Sequence, residues 1–249
     1  MRPYQEDCVA FVPNPGMPRP GSEHPGGGCD SLAVLADGMG GHAGGATASR
    51  LVCDTFISDF TAAGSVGTVP QRLTHALDAA NDAVQVAVAA SPHLDGMGST
   101  LVGVAISGAE LQWVSVGDSP LYLVRGGDLA LLNEDHSLAP ALDQMAADGR
   151  ITLEQSRTDP RRHMLRSAVT GDEIEMIDLA RRPLALAPGD VVVLASDGIH
   201  TLDGDEILRI VRGYRADGSA AIADALIRAV DNARIPMQDN TSVIVVRVL

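Results

Sequence analysis

The sequence is poor in aromatic residues. Three Phe, three Tyr and one Trp leave core packing to Ala, Val, Leu and Ile. The chain is nonetheless 45% hydrophobic over 249 residues, enough to bury one large core or two small ones. Long apolar runs are lacking too. None reaches the roughly 18–20 residues of a membrane-spanning helix. The opening stretch MRPYQEDC has none of the apolar character of a signal peptide. A cytoplasmic protein without membrane association is expected. Basic residues are outnumbered, 18 Lys+Arg against 32 Asp+Glu, for a net charge of −14. That balance argues against nucleic acid or an anionic lipid surface as partner. Cys8, Cys29 and Cys53 are the only cysteines and form no CxxC pair, which reads as reduced thiols. Familiar catalytic signatures are absent: no G-x-S-x-G, no G-x-x-x-x-G-K-[ST], and no histidine pair at zinc-binding spacing.

What is present is more pointed. In VLADGMGGHAGG (34–45) an apolar strand runs into Asp37, and five of the next eight residues are glycine. A plain turn needs one or two. The excess implies that the backbone comes close to something. Elsewhere CVAFV (8–12) and SLAVLAD (31–37) read as strands, with the Pro- and Gly-rich PNPGMPRPGSEHPGGG (13–28) as a long mobile loop between them. Helical spacing marks 46–60 and 70–90; in the second, Leu73, Leu77, Ala80 and Val84 share a face. STLVGVAIS, LQWVSVGD, LYLVR and LALLN read as consecutive antiparallel strands, with RGGD as a hairpin turn. A polar segment at 137–166, broken by Pro140, Gly149 and Pro160, predicts several short helices. EIEMIDL and VVVLAS are expected strands, 205–212 and 219–233 helices, and TSVIVVRV a closing buried strand. Runs of each type, rather than strict alternation, predict an α+β fold: a four-layer α-β-β-α sandwich, two antiparallel sheets flanked by helix pairs.

Carboxylates recur where strands stop or start: Glu6 and Asp7, Asp37, Asp118, Asp197 and Asp239. Any one of them is most simply a turn or cap residue. Together at the ends of paired strands they would repel one another strongly. Divalent cations would relieve that repulsion, and hard ions such as Mg²⁺ take carboxylate, carbonyl and water ligands. Glycine beside a carboxylate would let a backbone carbonyl reach the ion. His42 is the best isolated histidine, equally well explained as a polar loop residue at a helix start. His136 and His163 are weaker candidates.

RPYQED, LADGMGGHAGG, GSTLVGVAI, VGDS, NEDHSL, ASDGI and DNTSVIVV occur in this order and span nearly the whole chain. In them the sequence resembles the bacterial metal-dependent serine/threonine protein phosphatases, the PPM or protein phosphatase 2C family. The resemblance implies a single phosphatase domain over 1–249 with a flap subdomain at about 137–170. It implies two tightly bound Mg²⁺ or Mn²⁺ ions and a third, weaker one. Asp37 would bridge the pair; Asp197 and Asp239 would complete one shell, and Glu6 with the Gly38 carbonyl the other. Asp118, helped by Asp197, would hold the third ion. Asp7 would hold metal-bound water, and Arg2 would bind phosphate. The implied reaction is hydrolysis of phosphoserine and phosphothreonine in proteins by a metal-activated water. Implied partners are phosphorylated proteins, a bacterial serine/threonine kinase and its substrates, with the enzyme a monomer.

The sequence also departs from the family pattern. Gln5 replaces a frequent Asn, Pro120 a frequent Arg, and Met39 stands where animal members place a proposed acid histidine, leaving the general acid unassigned. A strand normally precedes the arginine matched by Arg2, so a weaker phosphate pocket is expected. Two readings stay open beside protein phosphatase: a non-catalytic phosphatase-like binding or sensing module, and hydrolysis of a small phosphate ester.

Overall fold

The computed structural model describes residues 4–13, 29–40, 42–62, 67–236 and 238–249. Its elements are β1 (Asp7–Pro13), β2 (Ser31–Met39), α1 (His42–Thr61), α2 (Val69–Ala90), β3 (Gly98–Ser99), β4 (Leu101–Ser107), β5 (Glu110–Val116), β6 (Leu121–Arg125), β7 (Asp128–Leu131), α3 (Ala139–Ala147), α4 (Leu153–Thr158), β8 (Asp178–Leu179), β9 (Leu184–Ala185), β10 (Val191–Ala195), α5 (Gly204–Gly213), α6 (Ser219–Ala233) and β11 (Val243–Arg247). One antiparallel sheet runs β1-β2-β4-β5-β8, with β3 on β2 and β9 on β5; the other runs β11-β10-β6-β7.

Strand alternation builds the layers. In β2, Leu32, Val34 and Ala36 point at α1 and α2, while Ala33 and Leu35 point into the space between the sheets. In β10, Val192 and Leu194 face that same space, and Val191, Val193 and Ala195 face α5 and α6. Four layers result, α1/α2, sheet, sheet, α5/α6, in the arrangement the order of elements predicts. With few aromatics, packing is dominated by short aliphatics. The exception lies under α1, where Phe56 and Phe60 are fully buried and stacked, ring centroids 6.4 Å apart. Gly103 of β4 makes room for this: a Cβ there would sit 2.4 Å from Phe56 Cζ. Arg72 from α2 lies 4.1 Å over the Phe60 ring and donates to the Phe60 carbonyl at 2.6 Å.

Local signals place the element ends. Thr68 and Gln71 form a capping box at the start of α2, with a proline in its first turn. Asp203 caps α5, accepting from Glu206 N at 2.8 Å. Gly126 and Gly127, φ +61° and +104°, turn the β6–β7 hairpin.

Three expectations need correction. EIEMIDL forms a strand only at Asp178–Leu179; there Trp113 Nε1 donates to Asp178 Oδ2 at 2.8 Å, while the preceding residues wrap a polar cavity. TSVIVVRV closes the chain as a strand, but not as a buried one. β11 has a neighbour on one side only, and of its residues Ile244 alone is buried. The first long helix begins at His42, four residues early, because its Gly44–Gly45 turn packs directly on β2. Residues 14–28 of the Pro- and Gly-rich loop lie outside the described residues.

Candidate metal centre

The site forms where the strands of both sheets end. Antiparallel pairing of β1 with β2 sets Asp7 directly opposite Asp37. Like charges in that relation destabilise a sheet unless something offsets them. Past Asp37 the chain is held close. Gly38 N donates to the Glu6 carbonyl at 3.1 Å, and a Cβ on Gly38 would fall 2.1 Å from the Gly45 carbonyl oxygen and 2.7 Å from that of Glu6. This answers why glycine follows the aspartate. What comes close is the first turn of α1 and the residue before β1.

Asp37 is fixed by its neighbour strand. Its N–H donates to Thr100 Oγ1 at 3.0 Å, its carbonyl accepts from Thr100 N at 2.8 Å, and Thr100 Oγ1 shares a 2.8 Å hydrogen bond with Ser119 Oγ. Asp118 lies between, after β5, in a loop tied to the second sheet through Ala195 N and the Pro120 carbonyl, 3.1 Å. Asn133 braces that loop by accepting from Leu121 N at 2.7 Å and donating to the Ser119 carbonyl at 3.0 Å.

Asp197 follows β10, and Asp239 precedes β11. Gly198 allows their approach, since a Cβ on it would meet the Asn240 carbonyl at 2.2 Å. Ser196 joins the two sheets: its hydroxyl donates to Asp7 Oδ2 at 2.8 Å and accepts from Ser242 N at 2.9 Å. Glu6 N donates to Asn240 Oδ1 at 2.9 Å.

Asp37, Gly38, Asp118, Asp197 and Asp239 line one cavity of about 480 Å³. Its electrostatics are dominated by crowded carboxylates. Asp37 is pushed up to about 10, by burial first and then by the charges of Asp7, Asp197, Asp118 and Asp239. Asp118 is pushed up to about 7 by burial and by Asp197. Asp7 is raised as well, by burial foremost, although Ser196 opposes the shift. Among the described residues, no three His, Cys, Asp or Glu side chains form a closed ligand cluster by themselves; the carboxylates surround the cavity rather than converging on a point.

Glu6, 7% exposed, and Asp7 lie beside this cavity and not on its surface. Arg2 and the side chain of His42 lie outside the described residues. Sequence reasoning gave no role to Thr100 and Asn133 and ranked His136 only as a weak candidate, although it singled out the GST and NEDHSL stretches that hold them. It also missed most of the opposite wall of the cavity, where Arg166, Glu173 and Glu175 join His163, which it ranked as a weak candidate. No spacing or periodicity marks those four.

The model for the family described as Protein phosphatase 2C matches residues 25–237. The chain belongs to that family. It is 37% identical over 178 residues to the serine/threonine protein phosphatase PstP of Mycobacterium tuberculosis, an alignment covering 71% of this chain and 33% of PstP. The chain thus spans about a third of the length of that curated relative. A putative protein phosphatase 2C-type of Streptococcus pyogenes is 30% identical over 187 residues, covering 73% of this chain and 72% of the relative. The catalytic domain of PstP, solved in complex with two manganese ions, superposes with a TM-score of 0.70 at 30% identity, over 96% of each chain. The family accounts for the two-sheet architecture and for the motifs around the carboxylates. No helix among the described residues is long and apolar enough to cross a membrane.

Proposed function

We propose that the chain hydrolyses phosphoserine and phosphothreonine monoesters in proteins, using Mg²⁺ or Mn²⁺ held among Glu6, Asp37, the Gly38 carbonyl, Asp118, Asp197 and Asp239. The observation that carries this reading is the gathering of Asp37, Asp118, Asp197 and Asp239 around one cavity, from strand ends of two different sheets. The donor set fits: every candidate ligand is an oxygen, as hard divalent ions require. The elevated proton affinity of Asp37 and Asp118 is the response of such a cluster when protons are the only cations on hand. Bound metal would supply Lewis acidity toward the phosphoryl oxygens and a nucleophilic water at neutral pH.

The chain's own residues do the holding. Asp37 stands at the centre, its backbone clamped by Thr100. Asp7, opposite it and beside the cavity, is oriented by the Ser196 hydroxyl and would hold metal-bound water by hydrogen bonding, as the family pattern assigns. Arg2 is the phosphate-binding residue that the family pattern assigns. No histidine is assigned as the general acid. The segment at about 137–170, within a single domain of 1–249, acts as the flap beside the cavity. The substrates are phosphoproteins in the cytoplasm, a serine/threonine kinase and its targets among them. Release of phosphate from a phosphothreonine peptide in the presence of Mn²⁺ tests the proposal. Metal-independent release would overturn it, and tight Mn²⁺ binding without turnover on any phosphopeptide would favour a binding module instead.

A further inference from the structure

We propose that Arg166 is a substrate-binding residue whose guanidinium holds the phosphoryl oxygens of the monoester above the carboxylate floor of the cavity. This rests on the phosphatase reading above. Arg166 is the one arginine among the described residues that line the cavity. Six carboxylates line it as well: Asp37, Asp118, Asp197, Asp239, Glu173 and Glu175. Arg125, Arg161, Arg162 and Arg209 are all engaged by nearby carboxylates. Arg166, on a cavity lined by those six carboxylates, makes no side-chain hydrogen bond or ion pair among the described residues. Its donors remain available.

Its backbone, by contrast, is held from several directions. Arg166 N donates to the His136 carbonyl at 2.8 Å, and Leu165 bridges Ser137. The Ser167 hydroxyl donates to the Met176 carbonyl at 2.9 Å and accepts from Met176 N at 3.0 Å. Two residues further on, Val169 exchanges hydrogen bonds of 2.9 and 3.0 Å with Ser99.

His136 is the junction. It is fully buried; its N–H donates to the Gly117 carbonyl at 3.0 Å, and its Nδ1 accepts from Gly117 N at 3.2 Å. One buried residue therefore holds both: its ring and backbone N–H fix Gly117, the residue before Asp118, and its backbone carbonyl fixes Arg166, which carries the free guanidinium. A rigid base under an unspent charge is the arrangement expected of a preorganised anion contact.

The chemistry requires such a group. Divalent ions would offset the floor carboxylates, but Glu173 and Glu175 still face an incoming dianion from the side. A guanidinium fork can engage two phosphoryl oxygens at once. The chain contains no lysine, so arginine supplies every permanent side-chain cation.

The test compares wild type with Arg166→Met and Arg166→Lys, loaded with Mn²⁺. Substrates are a phosphothreonine peptide and p-nitrophenyl phosphate, and calorimetry follows Mn²⁺ and inorganic phosphate binding. Arg166 is exposed, so both variants keep the fold, which melting curves check. Expected for Arg166→Met is a KM about tenfold higher on both substrates, with kcat within about twofold, Mn²⁺ affinity unchanged and phosphate binding weakened to match. Arg166→Lys recovers part of the loss. An unchanged KM overturns the proposal. So does a rise confined to the peptide, which would place Arg166 on the polypeptide and not the phosphoryl group, or a joint loss of kcat and Mn²⁺ affinity, which would make its role structural. A wild type that binds phosphate through Arg166 but turns over neither substrate would refute the function and spare the contact.

Discussion

Strand β10 carries an aspartate at each end, and the two have opposite fates. Asp190 precedes it, is 3% exposed, and is answered from within the chain. Arg125 Nε reaches its two oxygens at 3.0 and 3.2 Å, Arg125 Nη2 lies at 2.6 Å, and Ala187 N donates at 2.7 Å. The Arg125 guanidinium holds the Asp190 carboxyl below its usual range. Asp197 follows the strand and lines the cavity with Asp37, Asp118 and Asp239, beside which the proton affinities of Asp7, Asp37 and Asp118 go the other way. The same fold thus pairs one end of the strand with a nearby guanidinium and gathers carboxylates around a cavity at the other. Crowded acid groups are no defect of packing here; a few arginines placed as Arg125 is would have removed the strain and the site with it.

The contrast can be broken most sharply at its centre. Asp37→Asn is expected to reduce Mn²⁺-dependent phosphate release on the order of a thousandfold, while raising the melting temperature of the metal-free protein at pH 8, because Asn enters the cluster without the proton that Asp37 must take up on folding. A variant that keeps full activity would show that the cluster is not the reactive centre. Next in size is Gly38→Ala. Its Cβ meets backbone on two sides, so the strand, α1 or both must shift. We expect a loss of at least about 2 kcal/mol in denaturant unfolding, together with weaker Mn²⁺ binding by calorimetry. At the paired end, Asp190→Asn removes the anion from a half-exposed guanidinium and should cost about 2–3 kcal/mol, with Mn²⁺ affinity untouched.

The pH dependence sharpens the comparison further, and its signs differ between the two ends. Asp37 and Asp118 bind protons more tightly in the folded state than in the unfolded chain. Their contribution to metal-free stability is therefore greatest below about pH 4. It is lost as pH rises, through about 7 for Asp118 and on toward about 10 for Asp37. Asp190 behaves in reverse: its contribution is present above the unfolded carboxylate range and is lost as pH falls through its lowered folded value. Melting temperatures of the metal-free protein should fall between pH 5 and pH 8, and Mn²⁺ should flatten that slope. A metal-free curve with no slope would contradict the crowding. The smallest effect expected is that of Thr100→Val, which deprives Asp37 N of its acceptor. It should cost about 1 kcal/mol and lower kcat severalfold.

Much of this was readable in advance, for identifiable reasons. The periods of Leu73, Leu77, Ala80 and Val84 in α2, and of the aliphatic strands, follow directly from which faces must be dry. The acidic floor was readable because strands that pair must end together, so Asp37, Asp118, Asp197 and Asp239 could be traced to one edge. Strand membership at 173–177 was not readable. Those residues have the composition of a strand, but they are spent on the cavity wall. Nor was the edge position of β11, because an aliphatic run looks alike with one neighbour or two. Glycines 38 and 198 were recognised as meaningful, though the close approach they permit is to backbone. Arg166 was invisible, since what distinguishes it is the absence of a partner in space.

The Ser196 hydroxyl spans from Asp7 to Ser242 N, linking groups 189 and 46 positions away along the chain. Until the final strand has docked, the first carboxylates have no second sheet to lean on, and Asp239 has not arrived. A nascent or clipped polypeptide that stops short of residue 243 keeps Asp239 but lacks the strand that positions it, and on the phosphatase reading would bind manganese more weakly than the full chain. On that reading, the last strand to be made is therefore also the one that assembles the reactive end of the sandwich.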